Sequence, residues 1–224
     1  MLNEIKVCGA PEGYDAKIIL DELNKKHNSV VHVARDDKRM RAMSDALEFF
    51  SPKLDVFTFP SWDCLPYDRV SPNLEISSAR MAVLSKFAEN TNRNFIILTT
   101  LNAVLQKVPS KSDVQGYNFK AEVGRNINER RLREFLLRMG FTKSSTVKEA
   151  GEYAIRGGII DIFPPGYTNP VRLDLFGAIL DGARLFDPET QLTIKKLNEI
   201  ELAPVSEVVL DEISIKNFRQ AYRS

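Results

Sequence analysis

The chain has 224 residues, of which 43% are hydrophobic and 27% charged, the make-up of a soluble globular protein with enough apolar material for a real core. Lys and Arg number 31 against 30 Asp and Glu, and the net charge of +1 excludes a global electrostatic pull toward nucleic acid or an anionic membrane. The length admits one large domain or two small ones, and the pattern along the chain reads as two.

The opening MLNEIKVCGAPEG lacks the basic start and the apolar run of roughly 7 to 15 residues that a signal peptide needs. No apolar run of about 18 residues follows, so the chain reads as cytoplasmic with no membrane partner. Cys8 and Cys64 stand far apart without a second cysteine nearby, and read as reduced, buried thiols, neither a disulfide nor a zinc site.

Ile18, Ile19 and Leu23 recur at helical spacing from Tyr14 to Lys26, and SVVHVA from Ser29 to Ala34 is a short β-branched strand. Asp36 is a natural N-cap for a helix whose apolar face is Met40, Met43, Leu47 and Phe50, and LDVFTF is the next strand. After a proline-rich loop from Pro60 to Pro72, a helix over Glu75 to Glu89 is marked by Ile76, Ala79, Val83 and Phe87, then NFIILTT forms an apolar strand and LNAVLQKV a short helix. Alternating strands and helices predict a parallel sheet covered on both faces, over residues 1–116.

Past Gly116 the pattern becomes α+β over residues 117–204. One helix, Asn128 to Met139 with Gly140 behind it, precedes strands at Phe141–Val147, Tyr153–Phe163, Val171–Phe176 and Arg184–Ile200, separated by turn chemistry at PPGYTNP and DPET. Residues 205–224 resume helical periodicity and read as the start of a longer segment.

The loop GAPEGYDAKI, with Gly9 and Gly13, stands before a helix as a phosphate loop does. A working loop is G-x-x-x-x-G-K-[ST], whose lysine meets phosphate and whose hydroxyl holds magnesium; here Asp15, Ala16 and Lys17 follow instead, and the loop reads as plain or vestigial. His27 and His32 lack further ligands at metal spacing. Trp62 and Tyr67, set among prolines in FPSWDCLPYDRVSPN, suit either an aromatic plug or a stacking platform for bases, the plug being favoured.

In NPVRLDLFG, alternation puts Val171, Leu173 and Leu175 on one face and Arg172, Asp174 and Phe176 on the other. An outward Phe beside an Arg fits a protein interface, and equally an ion or cation–π pair beneath the Asn128 helix. GEYAIRGGIIDIFPPG likewise sets a single cation, Arg156, among residues that read as buried strand.

FPSWDCLPYDRVSPN, EISSAR, GEYAIRGGIIDIFPPG, PVRLDLFG and FDPETQLT, taken in order, resemble the N-terminal region of bacterial transcription-repair coupling factor. The resemblance implies a module similar to the UvrB helicase: a degenerate helicase-like domain of P-loop type, interrupted by an inserted α+β domain that docks on the UvrA damage sensor. It assigns UvrA contact to Arg156, Arg172 and Phe176, with Gly157 and Gly158 allowing a close backbone approach. It implies no catalytic residue and no cofactor in this segment. ATP and magnesium, together with RNA polymerase and DNA as partners, are expected of the rest of such a parent protein, whose other domains are further partners. Between Pro72 and Glu75 there is no room for the DNA-wedging hairpin of UvrB. The alternative reading is a UvrB-type, nucleotide-dependent DNA-binding helicase fragment.

Overall fold

The computed structural model describes residues 6–26, 29–65, 71–88, 94–115, 117–208, 215–216 and 219–220. In chain order the elements are α1 (Tyr14–Lys26), β1 (Val30–Ala34), α2 (Asp37–Phe50), β2 (Asp55–Phe59), α3 (Leu74–Ala88), β3 (Phe95–Thr100), α4 (Leu101–Val104) and α5 (Lys111–Gln115). They continue with β4 (Phe119–Glu122), α6 (Glu129–Arg138), β5 (Thr142–Lys143), β6 (Glu152–Arg156), β7 (Ile159–Ile162), β8 (Val171–Phe176), β9 (Ile179–Phe186), β10 (Thr193–Leu197) and β11 (Glu199–Leu202). The fold is mixed α/β, with one parallel and one largely antiparallel sheet.

Two compact units divide the chain, one of Met1–Ser61 with Thr91–Lys107, the other of Trp62–Asn90 with Val108–Ser224. The division is not the sequential one expected from composition, since α3 groups with the later strands; Gly116 itself lies outside the described residues. The reason is visible in α3, whose Arg80 and Leu74 meet Glu207 and the core of the second unit.

In the first unit β1, β3 and β2 form a parallel sheet in that order. Leu23, Met40, Met43 and Leu47 from α1 and α2 close over Ala34, Ile96 and Leu98 on one face. Asp36 caps α2 as expected, accepting the Arg39 N–H at 2.9 Å. The other face is covered less completely than expected: β3 is buried throughout, while Val31 and Val33 of the edge strand β1 are exposed.

In the second unit the strand order is β10-β9-β8-β7-β6-β5, with β11 and β4 as a separate antiparallel pair. Leu132 and Leu136 of α6 pack with Ile160, Ile162, Leu173 and Leu180 on the inner face. Asn128 caps α6 by accepting the Arg131 N–H at 3.0 Å. The expected strand Phe141–Val147 shrinks to β5. The run Tyr153–Phe163 becomes a hairpin turning at Gly157. In α3 the expected apolar face is shifted: Met81, Val83 and Ala88 are buried with Arg80, whereas Phe87 is exposed.

Candidate protein-interaction site

Alternation on β7, β8 and β9 sends every second side chain away from α6. Asp161 lies directly opposite Arg172, and Arg172 opposite Arg184, on this outer face. Arg156 of β6 is opposite Ile159, which makes Asp161 its diagonal neighbour, a separation a long side chain spans. The sheet register therefore delivers two arginines to one carboxylate.

Asp161 is only 1% exposed, and an ionised carboxylate in such a place requires partners. It has them: Arg172 Nε donates to Oδ1 at 2.6 Å and Arg172 Nη2 to Oδ2 at 2.9 Å, while Arg156 Nη2 reaches Oδ2 at 2.6 Å. The fork on Arg172 is bidentate, the geometry in which a guanidinium binds a carboxylate most strongly. These hydrogen bonds hold the Arg172 pKa above its ordinary value. Arg184, opposite Arg172, would repel it, but is turned to its own acid, Asp174, with Nη2 at 3.2 Å from Oδ1. Two arginines around Asp161 leave one net positive charge on the face.

The β9–β10 turn completes the arrangement. Asp187 accepts the backbone N–H of Thr190 at 2.7 Å and its hydroxyl at 3.0 Å, contacts that also lower its carboxyl pKa. Gln191 is thereby held at a φ of 63°, a left-handed conformation a glutamine adopts only under constraint, and its Oε1 accepts from Arg172 Nη2 at 2.8 Å. Beneath the guanidinium lies the buried ring of Phe186, 4.4 Å from Arg172 Cζ to the centroid. The ion pair weighed against an interface is thus present, though α6 covers the opposite face of the sheet.

Toward the far end of the same face the surface turns apolar. Phe176 is 79% exposed and pairs in register with the exposed Ile179, and Ile159 lies one diagonal step away on β7. Arg156 borders this patch with a side chain 53% exposed. Gly158 makes the hairpin possible, because a Cβ there would meet the Leu175 carbonyl oxygen at 2.8 Å. Gly157 supplies the left-handed turn, with φ of 59°.

The structure thus gathers Arg156, Arg172 and Phe176 on one face, and adds Asp161, Phe186 and Gln191, which sequence reasoning missed. One signal was available: Asp161 is the single acid in the apolar run GGIIDIF, and a buried acid demands a cation.

The remaining sites behave differently. Gly9 and Gly13 both have positive φ, and the loop between them borders a cavity of about 630 Å³ with Asp15, His32, Arg35 and Arg39. Lys17 pairs with Asp21 at 3.1 Å on α1. Trp62 is half-buried and partnered: its Nε1 donates to Glu207 at 2.9 Å, and Arg80 Cζ lies 5.1 Å from the ring centroid, with Nη2 on Glu207 Oε2 at 3.1 Å. Tyr67 and His27 lie outside the described residues. Cys64 is half-buried and Cys8, contrary to expectation, exposed; both are free thiols. Among the described residues no group of three or more His, Cys, Asp or Glu is placed to hold a metal ion, and no helix is long and apolar enough to cross a membrane.

Residues 119–208, the segment that holds the whole outer face, match the family described as UvrB interaction domain. Along nearly its full length the chain is similar to transcription-repair-coupling factors. That of Escherichia coli is 30% identical over 222 residues, 99% of this chain and 19% of that protein. That of Haemophilus influenzae is 32% identical over 222 residues, with the same coverage of 99% and 19%. That of Rickettsia bellii is 31% identical over 199 residues, 89% of this chain and 18% of the relative. The chain therefore spans about a fifth of the length of these relatives.

Proposed function

We propose, on the premise that this chain belongs with the transcription-repair-coupling factors and carries a UvrB interaction domain, that it is an adaptor module of transcription-coupled nucleotide-excision repair. Its inserted domain recruits UvrA through the outer face of the β5–β10 sheet. The observation that carries this reading is the juxtaposition of a largely exposed Phe176 with the half-exposed Arg156 beside a buried, fully committed carboxylate. Aromatic and arginine side chains are the residues that dominate binding energy at protein interfaces. Phe176, Ile159 and Ile179 are exposed side by side, and contiguous exposed apolar side chains rimmed by polar ones are the pattern of an interaction site.

The module acts without phosphoryl-transfer chemistry of its own. Lys17, in the first turn after the glycine loop, is engaged by Asp21 on the helix surface, and Asp15 adds a negative charge to the first turn of α1, where a phosphate would be repelled. ATP turnover, DNA translocation and displacement of stalled RNA polymerase belong, in this reading, to the remainder of a parent protein about five times as long.

Calorimetric titration of the chain with UvrA tests the proposal. Binding is expected, and Arg156→Glu or Phe176→Ala is expected to weaken it, the latter by roughly 30-fold or more, while circular dichroism stays unchanged. Unaltered affinity in both folded variants would end the adaptor reading. A parallel titration with ATP and magnesium is expected to give a flat trace, and saturable heat there would favour the helicase-fragment alternative.

A further inference from the structure

We infer that the residues of the outer face divide the work: Phe176, Ile159 and Ile179, edged by Arg156, form the surface a partner covers, whereas Arg172 is a positioning residue acting through Asp161. The inference rests on the docking reading above and refines it.

Arg172 is poorly placed to meet a partner. Its side chain is 16% exposed, and three of its five N–H donors are committed, two to Asp161 and one to Gln191. One face of its guanidinium is closed by the Phe186 ring. A partner carboxylate recruiting Arg172 would compete with a carboxylate already in place, and would leave Asp161 almost wholly buried with Arg156 alone. Arg156 differs, since a single contact, from Nη2 to Asp161, anchors a guanidinium more than half exposed.

The register explains how Arg172 affects the patch without entering it. Asp161 ties β6, through Arg156, to β8, through Arg172, across the intervening β7. This clasp sets the spacing of Arg156 from Phe176, four residues along β8 from Arg172. The occupant that fits is a protein surface presenting an apolar pocket for the Phe176 ring, with a carboxylate at its edge for the net positive charge left on Arg156. UvrA is the probe.

The test compares UvrA affinity at several salt concentrations for the unmodified chain and five variants. Phe176→Ala is expected to weaken binding by roughly 30-fold or more, and Ile159→Ala and Ile179→Ala by about 5-fold each. Arg156→Gln is expected to flatten the dependence of affinity on salt, because it removes an intermolecular charge pair. Arg172→Gln is expected to weaken binding with the salt dependence intact, and Asp161→Asn/Arg172→Gln, which puts a neutral amide pair in place of the buried ion pair and keeps the exposed Arg156 cation, to recover most of the lost affinity. A double variant as weak as Arg172→Gln, both flattened as in Arg156→Gln, would make Arg172 a direct contact and overturn the assignment.

A second measurement needs neither a variant nor a partner. In the arginine-labelled chain, the Arg172 Nε–H resonance should exchange slowly with solvent and the Arg156 resonance quickly. Fast exchange at Arg172 would refute the positioning role even if UvrA failed to bind, and slow exchange with no UvrA binding would retain it while removing the docking reading.

Discussion

In the loop from Gly9 to Gly13 both glycines are left-handed, residues 10–13 and Asp15 of the first turn of α1 border a cavity of about 630 Å³, and the charges beside it pair at the surface, Arg35 with Asp36 at 3.0 Å and Arg39 with Glu12 at 3.7 Å. On the outer face of β6–β9, a carboxylate 1% exposed holds two arginines at 2.6 Å and a strained glutamine finishes the shell. The first region has a loop and a cavity whose arginines are met by surface carboxylates. The second has a costly polar construction inside an ordinary sheet. Surface ion pairs contribute little and arise readily. A buried carboxylate persists only when every partner is in place, so its presence says far more about what the region is for.

The largest expected effect tests that contrast directly. Asp161→Ala leaves Arg172 largely buried without its carboxylate, and should cost about 3–5 kcal/mol of stability, a fall on the order of 10 °C in the melting midpoint. Asp15→Ala at the glycine loop should leave the midpoint within about 1–2 °C of the unmodified chain, as surface substitutions usually do. Equal effects would erase the distinction between the two regions. Next in size, Phe176→Ala should cost about 2–4 kcal/mol in UvrA affinity, read by calorimetry, with no loss of melting midpoint, because the ring is exposed.

How legible each region was follows from the range of its interactions. Helices α1, α2 and α6, the Asp36 cap and the strands of the parallel sheet could be read to within a residue or two, because the period of 3.6, a capping side chain and an apolar run are local signals. The start of β9 escaped because its register shifts between Asp174 and Leu175, which breaks the alternation in AILDGARLF. Strand β4 escaped for a different reason: its partner, β11, lies some 80 residues on, and four residues show little pattern by themselves. Arg156, Arg172 and Phe176 came from resemblance to a family and not from periodicity. Alternation along β8 did place Arg172 and Phe176 together, while Asp161, Phe186 and Gln191 depend on cross-strand pairing and a turn that no window along the chain contains. The same holds for Trp62 and Glu207, 145 positions apart.

A smaller effect separates local from tertiary stabilisation in the second unit. Asn128 satisfies a backbone N–H that water also reaches, so Asn128→Ala should cost about 1 kcal/mol, or roughly 2–4 °C in melting midpoint, well short of Asp161→Ala. A loss as large as that of Asp161→Ala would mean that the α6 cap is coupled to the outer face through the core.

The smallest expected effect returns to the cavity of the first unit and concerns His32. Partial burial lowers its pKa below the ordinary value, with desolvation the larger influence and the Asp15 carboxylate opposing it. The folded chain thus disfavours the imidazolium that the unfolded chain forms near pH 6.5. Stability should be at its full value above that pH and decline as pH falls through it, since the unfolded state there binds more protons. The Asp15 charge offsets part of this. Melting at pH 7.5 and pH 5.5 should therefore show a drop that is smaller in His32→Gln than in the unmodified chain. A drop of the same size in both would assign the pH response to other groups, whereas a larger one in His32→Gln would mean that the folded state favours the imidazolium and that the cavity attracts cations.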